Sequence, residues 1–151
     1  MDLYQLVYQS LSLVPFEEPE LLALLQWSRA YNRRHHITGL LLYTPDGRFL
    51  QVLEGSREAV RNLYYHRIVR DTRHYNQQVF SEGLCEQRTF RTWSMGFRVA
   101  QAQDLRTFLG YVPPDVPGLL VPRPHTRPEL MALLRDFLTQ CETEPSLEHP
   151  C

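Results

Sequence analysis

The segment ITGLLLYTPDGRFLQVLEG, residues 37–55, decides the fold. Its two apolar stretches, 37–43 and 48–54, have the length and composition of buried strands. The four residues between them, Thr44-Pro45-Asp46-Gly47, are types that favour turns. The segment therefore predicts a β-hairpin at the centre of a sheet.

One polar residue interrupts the second strand of this hairpin. Gln51 lies between Leu50 and Val52, and burying its amide without partners costs on the order of 1–3 kcal/mol. Side chains alternate along a strand, so Gln51 shares its face with Phe49 and Leu53. A glutamine bonded to a neighbouring backbone or hydroxyl group is the simplest interpretation. The polar residues predicted on nearby elements support a second one, a binding pocket.

The residues before the hairpin predict a strand and a helix. The residues from Leu3 to Ser10 alternate between two faces, as in a strand, and Tyr8 shares its face with Leu6. Pro19 suits the first turn of a helix. From Glu20 to about Tyr31 the spacing becomes helical, and one face of this helix carries Leu21, Leu25, Ser28 and Asn32.

The residues after the hairpin complete the sheet. Ser56 is a candidate N-cap for a helix that runs to about Arg70. Two weaker strand candidates follow at 78–84 and 88–97, the second with Trp93, Met95 and Phe97 on one face. The order β-α-β-β-α-β-β predicts an α+β, ferredoxin-like sheet with two helices on one face, which leaves the other face open.

Composition changes after the first hundred residues. We expect a domain over 1–100, a proline-rich connector with an amphipathic helix over 101–142, and a tail over 143–151. The helix, PELMALLRDFLTQC, has an apolar stripe formed by Leu130, Leu133, Leu134, Phe137, Leu138 and Cys141. Either the open sheet face or a second copy of the chain could cover this stripe.

The composition excludes several classes of protein. The formal net charge is -1, which gives no indication of binding to nucleic acid or to an anionic membrane. No apolar run is long enough to span a bilayer, and the N-terminus lacks the pattern of a signal peptide. The three cysteines are far apart, without a CxxC pair, which favours a reducing cytoplasm over a disulfide framework or a zinc site.

The predicted elements carry other polar side chains besides that of Gln51. A phenol (Tyr8), a second amide (Asn32), an indole (Trp93) and a thioether (Met95) could converge with it on one pocket between the two helices. No nucleophile–base pair, carboxylate pair or metal set accompanies them. Such groups suit holding a flat heteroaromatic ring with carbonyl and N–H edges.

The combined motifs resemble one family. LYQLVYQS, SRAYNRRHHITGLLLY, DGRFLQVLEG, IVRDTRHYN and FRTWSMGF are similar, in sequence and spacing over residues 1–98, to the BLUF blue-light sensors that use FAD. The resemblance implies a noncovalent flavin between the two helices, FAD with FMN or riboflavin possible. It implies that Tyr8 and Gln51 are photoactive, and that the flavin is contacted by Tyr8, Leu25, Ser28, Arg29, Asn32, Gln51, Ile68, Asp71, Arg73 and His74. Trp93, Ser94 and Met95 would form the switch and output segment.

The resemblance also implies how the protein works. Proton-coupled electron transfer from Tyr8 would rearrange the hydrogen bonds of Gln51 and give a red-shifted state without consuming a substrate. The last strand and the C-terminal helix would relay this change to an oligomer interface or to a separate signalling protein. Two alternatives stay open: an acylphosphatase-like enzyme of the same fold, using Arg29 and Asn32, and an interaction module without a chromophore. The basic run Arg33-Arg34-His35-His36 is either a solvated helix end or a contact for the FAD phosphates.

Overall fold

The computed structural model describes residues 2–14, 16–101, 103–104, 108, 110–111, 121–122 and 126–138. The elements are, in chain order, β1 (Leu3–Ser12), α1 (Glu18–Arg34), β2 (Thr38–Tyr43), β3 (Arg48–Ser56), α2 (Arg57–Leu63), a π-helical turn (Tyr64–Ile68), β4 (His74–Leu84), β5 (Gly96–Val99), β6 (Gly110–Tyr111), β7 (Val121–Pro122) and α3 (Arg127–Phe137). The α+β, ferredoxin-like class predicted from the sequence is confirmed.

Strands β1 to β5 form one sheet in the order β4-β1-β3-β2-β5. β1 is antiparallel to both β3 and β4, β2 is antiparallel to β3, and β5 joins the edge of β2 in parallel. The central position of β3 explains its apolar composition, because both of its edges are paired and both of its faces are covered. β6 and β7 pair with each other in a separate small ribbon.

Local sequence signals set the ends of the helices and the central turn. α1 begins in a capping box, in which the side chains of Glu17 and Glu20 bond to each other's backbone N–H, and a proline occupies its first turn. α2 begins at the predicted cap, where the Ser56 hydroxyl accepts a hydrogen bond of 3.1 Å from Ala59 N. In the β2–β3 turn, Gly47 has φ 92°, a conformation that glycine adopts without steric cost.

The predicted strand over 88–97 is wrong for most of its length. The residues from Cys85 to Met95 follow an irregular path, and only Gly96–Val99 pairs with β2. The carboxylate of Glu54 supplies the physical reason, since it accepts the backbone N–H groups of Thr89 (2.7 Å) and Phe90 (2.8 Å). These N–H groups bond to a side chain instead of to a neighbouring strand. β4, by contrast, begins at His74, four residues before the strand predicted over 78–84.

Each face of the sheet carries its own hydrophobic core. On one face, α1 and α2 pack on a cluster that includes Leu6, Leu25, Leu53 and Val60. We call this the inner face. On the outer face, α3 covers Val7, Leu40, Leu42, Leu50 and Val52 with the side chains of Leu130, Met131, Leu134 and Leu138.

The amphipathic C-terminal helix therefore packs on the open face of its own sheet, one of the two positions expected for it. Met131 belongs to its buried side, whereas Leu133 and Phe137 are only partly buried. Cys141 and most of the proline-rich connector lie outside the described residues, as does the tail over 143–151. In the described part of the chain, the helices lack the length and apolar content of a membrane span.

Candidate functional site

Tyr8 and Gln51 are directly opposite each other on the paired strands β1 and β3. Both side chains point to the inner face, and they are 4% and 6% exposed. The Tyr8 phenol donates a hydrogen bond to Gln51 Oε1, and Gln51 Nε2 donates to Met95 Sδ at 3.4 Å. A phenol, an amide and a thioether thus form one hydrogen-bonded line inside the protein.

Burial keeps the Tyr8 phenol in its neutral form. Its pKa is raised far above the usual value, first by loss of hydration and then by the neighbouring Tyr64 and Asp71. The ring of Tyr64 lies 4.8 Å from that of Tyr8, centroid to centroid, and burial raises the pKa of Tyr64 to about 12. Because Tyr8 keeps its proton, it is the donor in the bond to Gln51.

A cavity lies beside this line, between α1 and the π-helical turn. The space free of protein atoms in this region amounts to about 420 Å³, with open solvent counted in it. Its apolar wall is formed by Phe16, Leu24, Leu41, Phe49 and Ile68. Its polar lining comes from Tyr8, Ser10, Gln51, Asp71, Arg73 and His74. The cavity therefore combines apolar walls with hydrogen-bonding groups.

The π-helical turn shapes one side of this cavity. Its extra residue per turn is visible in the bond from Val69 N to Tyr64 O, 2.9 Å long. The Ile68 carbonyl oxygen then lies 2.6 Å from His74 Nε2, and Ser10 Oγ lies 2.8 Å from His74 Nδ1. Since a carbonyl oxygen can only accept, His74 Nε2 carries a proton, and in the neutral ring Nδ1 accepts from Ser10.

Asp71 and Arg73 form an ion pair at the mouth of the cavity. Arg73 Nε lies 2.9 and 3.1 Å from the two carboxylate oxygens of Asp71. This contact lowers the pKa of the Asp71 carboxyl and raises that of the Arg73 guanidinium, hydrogen bonding being the largest cause of both shifts. The pair is partly exposed, so it closes the rim of the cavity without being part of the core.

The remaining polar residues of α1 bind the segment before β5. Asn32 Nδ2 donates to Ser94 O at 2.6 Å, and Arg29 Nε donates to Met95 O at 3.1 Å. Ser28 is buried on the same helix face, and Leu25 belongs to the inner core. Of the ten predicted cofactor residues, these four do not line the cavity, whereas Tyr8, Gln51, Ile68, Asp71, Arg73 and His74 do.

Met95 and Trp93 lie on opposite sides of the sheet. Met95 is fully buried in the inner core, next to Gln51. Trp93 packs on the outer core and stacks on Phe90, with ring centroids 5.7 Å apart. Trp93 and Met95 therefore do not share one face as the predicted strand had them, and Met95 is the one that lies beside Gln51 in this conformation. The reason is that residues 93–95 are not a strand, so strand alternation does not apply to them.

Sequence reasoning missed five of the residues that line the cavity. Ser10 and Phe49 lie two positions from Tyr8 and Gln51 on the same strands, so strict application of strand alternation finds them. Leu41 is opposite Gln51 in the β2–β3 register, which the hairpin could have indicated. Phe16 comes from a loop and Leu24 from the edge of the α1 face, and the local pattern gives no signal for either.

The lining fits a planar heteroaromatic ligand better than a metal ion. Among the described residues, no group of three or more His, Cys, Asp and Glu side chains could hold a metal. The walls are apolar and aromatic, and Gln51 offers an amide at the cavity edge. Among the described residues, the acceptor of this amide is a weakly accepting thioether. An isoalloxazine ring has an apolar benzenoid side and a polar edge of carbonyl and N–H groups, which matches this lining.

The fold and the site define a class of α+β domain with an apolar cavity, edged by hydrogen-bonding groups, between α1 and the π-helical turn. The family model described as "BLUF: Sensors of blue-light using FAD" matches residues 3–96. The chain belongs to this family and is a flavin-binding blue-light photoreceptor. No curated protein sequence matches it significantly.

Comparison with solved structures also finds BLUF proteins. BlrB, described as a BLUF protein in the dark state, is 30% identical over 91% of this chain and 98% of its own, with a TM-score of 0.69. The photo-activated state of BlsA has a TM-score of 0.69 over 96% of this chain and 99% of its own, and its 24% identity indicates a shared fold. BlrP1 of Klebsiella pneumoniae, described with FMN and cyclic diGMP, is 30% identical over 64% of this chain but only 26% of its own, with a TM-score of 0.59.

Proposed function

We propose that Tyr8, Gln51 and Met95 are the light-driven switch of this photoreceptor, and that FAD is its chromophore. The single observation that supports this proposal is the hydrogen-bonded line from the Tyr8 phenol through the Gln51 amide to Met95 Sδ. The line runs along the edge of a cavity that suits an isoalloxazine ring. Ser10, Phe16, Leu24, Leu41 and Phe49 join the predicted residues as its walls.

The chemistry of the line explains how it could switch. A flavin, when bound and excited by blue light, supplies a one-electron oxidant. An oxidised phenol is a strong acid, and the Tyr8 proton has Gln51 Oε1 as its acceptor. An amide that gains a proton on oxygen can pass one to the bound flavin, from its nitrogen or after rotating, so that the flavin would hold the electron and the proton lost by Tyr8. The bond from Gln51 Nε2 to Met95 would then be lost or replaced. When Tyr8 regains its electron and proton, Gln51 is left in the altered arrangement.

The switch requires that Gln51 can change its partners at low cost. A thioether sulfur is a weak acceptor, so the loss of the 3.4 Å contact to Met95 costs little free energy. The phenol oxygen of Tyr8 can both donate and accept, so it can bond to either end of the amide. Two hydrogen-bonded arrangements of Gln51 are therefore close in free energy.

We propose that the signal leaves through residues 94–98 and α3. Met95 and Ser94 are held by Arg29 and Asn32 through their carbonyl oxygens, so a shift of Met95 acts on the chain leading into β5. Three residues further on, the Arg98 guanidinium donates to Phe137 O and lies 4.1 Å from the Phe137 ring centroid. This contact connects β5 to the end of α3 on the outer face.

We propose that the protein is a switch that consumes no substrate. It acts on a separate partner or on an oligomer interface. BlrB is similar to this chain over nearly its full length, whereas BlrP1 is much longer than the part it shares. The acylphosphatase-like alternative is not favoured, because Arg29 and Asn32 both bond to backbone carbonyls. An oxyanion site would need these donors to converge on an open position.

Light spectroscopy of the full chain tests the switch. We expect a yellow protein whose flavin absorption shifts reversibly to the red under blue light. Tyr8→Phe removes the phenol proton and keeps the ring, so flavin binding should remain while the red-shifted state is lost. Tyr43→Phe is the matched control, because that phenol bonds to the Phe16 backbone away from Gln51. A normal red shift in Tyr8→Phe would overturn the assignment of Tyr8.

Hydrogen exchange in light and darkness tests the output path. We expect illumination to change amide exchange in residues 94–98 and in α3, because both lie on the path from Gln51 to Phe137. Arg98→Ala should keep the red shift and abolish the exchange difference in α3. Arg91→Ala is the control, since Arg91 bonds locally to Gln87. Equal exchange in α3 before and after illumination of the wild-type protein would rule out this helix as the output element.

A further inference from the structure

The segment between β4 and β5 borders two surface depressions that lie outside the cavity of the proposed switch. One depression is at the end of α1, and its lining includes Arg33, Arg88 and Arg91. The other is beside α3, and its lining includes Arg91, Trp93 and Arg135. Because Arg91 borders both, the two form one continuous surface, which we call the Arg91 surface. Among the described residues, no aspartate or glutamate lines either depression.

The Arg91 surface carries positive charge without carboxylates to compensate it. Arg33, Arg91 and Arg135 are exposed, and none of them forms an ion pair within the part of the chain that the structure describes. Arg91 donates to the neutral side-chain amide of Gln87 at 2.8 Å. The whole chain has a formal net charge of -1, so positive charge is concentrated on this surface. Such a surface favours an acidic partner.

Arg88 holds a fixed guanidinium group on the same surface. This group donates to Thr38 Oγ1 at 2.8 Å and to the backbone carbonyl oxygens of Glu54 and His36 at 2.9 and 2.8 Å. All three acceptors are neutral groups, so the bonds hold the guanidinium in place without forming an ion pair. A side chain that is already immobilised loses little conformational entropy when a partner binds.

The part of the Arg91 surface beside α3 is an apolar groove. Phe90, Trp93 and Leu138 line it, and the Trp93 indole stacks on Phe90 with ring centroids 5.7 Å apart. The space free of protein atoms there amounts to about 580 Å³, with open solvent counted in it. Arg91 and Arg135 line the same groove. The groove therefore suits an apolar side chain that has carboxylates as its neighbours, which nucleic acid and inorganic anions do not offer.

We propose that the Arg91 surface docks an acidic segment of a separate signalling protein, in which carboxylates flank an apolar side chain. The apolar side chain enters the groove beside Trp93, and the carboxylates contact Arg33, Arg91 and Arg135. The inference rests on the proposed function, because it names the chemistry of the partner on which the switch acts. It also places part of the basic run 33–36 on this surface, since Arg33 and His36 line it and neither lines the cavity proposed for the flavin ring.

The Arg91 surface is connected to the proposed switch through the backbone. Trp93 lies two residues before Met95, and the carbonyl oxygen of Ser94 between them accepts a hydrogen bond from Asn32. The opposite wall of the groove belongs to α3, the proposed output helix. A shift of Met95 therefore moves one wall of the groove relative to the other. Because the groove is formed in the conformation in which Met95 contacts Gln51, we expect docking to be stronger in the dark.

Peptide binding to the full-length, flavin-loaded protein tests this inference. The probes are the peptides EEELEEE, QQQLQQQ and EEESEEE, each with a dye excited by red light, so that measuring fluorescence anisotropy does not drive the photocycle. In the dark, EEELEEE should bind about tenfold more tightly than QQQLQQQ, the combined contribution of about two or three exposed ion pairs. EEESEEE should also bind about tenfold more weakly, because it has no apolar side chain for the groove. Blue light should weaken the binding of EEELEEE by about fivefold.

Two double variants remove the same charge from different places. Arg33→Gln combined with Arg91→Gln should lower the affinity for EEELEEE by about tenfold, because two ion pairs are lost. The affinity for QQQLQQQ should stay the same, since this peptide has no carboxylate side chains. Arg34→Gln combined with Arg57→Gln is the charge-matched control, because neither residue lines the Arg91 surface. It should lower the affinity for EEELEEE by less than about threefold.

Several outcomes would overturn the docking assignment. Equal binding of EEELEEE and QQQLQQQ would do so, as would an equal loss of affinity in the two double variants. Tighter binding of a labelled single-stranded oligonucleotide would assign the surface to nucleic acid. A wild-type oligomer that Arg33→Gln combined with Arg91→Gln dissociates would assign it to a second copy of the chain. Equal affinity for EEELEEE in darkness and in light would break the connection to the switch.

The absorption spectrum of the same samples separates this inference from the function on which it rests. A normal red shift under blue light, together with any of the contradicting binding results, would overturn the docking assignment and leave the photoreceptor proposal standing. A wild-type protein that shows no red shift would overturn the photoreceptor proposal itself.

Discussion

Gln51 and Glu54 lie three residues apart on β3, on opposite faces of one sheet, and their environments are opposite in kind. Glu54 is fully buried, and its carboxylate accepts hydrogen bonds from Gln5 Nε2, Thr38 Oγ1 and the backbone N–H groups of Thr89 and Phe90. Gln51 has one strong partner, Tyr8, and one weak partner, Met95. The outer-face residue is saturated with donors, whereas the inner-face residue is not.

This difference indicates two roles for buried polar groups on one strand. A carboxylate with four donors has no second arrangement of similar free energy, so it holds the irregular segment after Cys85 in one path. An amide with a weak acceptor has other arrangements within reach, which a switch needs. Gln51 on the inner face is therefore suited to change, and Glu54 on the outer face to stability.

The strongest test of this contrast is Gln51→Leu. We expect the light-induced red shift to be abolished, because leucine can neither accept the Tyr8 proton nor donate to a ring edge. The free energy of unfolding in urea should fall by about 1–3 kcal/mol, because the buried Tyr8 hydroxyl loses its acceptor. The control is Gln9→Leu, which replaces another buried glutamine, one that bonds to Gln78 at 2.7 Å, and should keep the red shift. A red shift that survives in Gln51→Leu would remove Gln51 from the switch.

Glu54→Ala should act mainly on the free energy of unfolding and not on the red shift. It leaves the N–H groups of Thr89 and Phe90 and the Gln5 amide without their acceptor, and each buried unsatisfied group costs about 1–3 kcal/mol. We expect the free energy of unfolding, measured by urea denaturation, to fall by more than about 3 kcal/mol. Glu58→Ala, an exposed change on α2, is the control and should have little effect. A Glu54→Ala protein of wild-type stability would show that this carboxylate does not anchor the segment.

The smallest expected effect is that of Met95→Leu. The two side chains have similar volumes, so the free energy of unfolding should change by less than about 1.5 kcal/mol. The contact of Gln51 with the thioether stabilises the dark arrangement, and the substitution removes this contact. Thermal return from the lit state, followed by absorbance after a blue pulse, should slow by at most about tenfold, since one neutral hydrogen bond contributes about 0.5–1.5 kcal/mol. Faster or unchanged return would mean that the sulfur contact does not hold Gln51.

Much of the inner face could be predicted from residue order alone. Tyr8 and Gln51 were expected on one face because strand alternation is a local rule, and the sheet places them opposite each other. The caps and turns that begin α2 and join β2 to β3 are also local, and both are confirmed. Trp93 and Met95 were expected on one strand face and lie on opposite sides of the sheet, because the rule was applied to a segment that is not a strand.

What the sequence by itself determined is the class of fold, because strand period, helix period and turn chemistry act over a few neighbouring positions. The photoactive roles of Tyr8 and Gln51 depend on the resemblance to the BLUF family and stay predictions. The tertiary structure alone decided three further features: the irregular path before β5, the position of Met95 inside and Trp93 outside, and the packing of α3 on the outer face. Each depends on groups far apart in the chain. The Glu54 carboxylate competes with a strand for the N–H groups of Thr89 and Phe90, and no local pattern contains that competition.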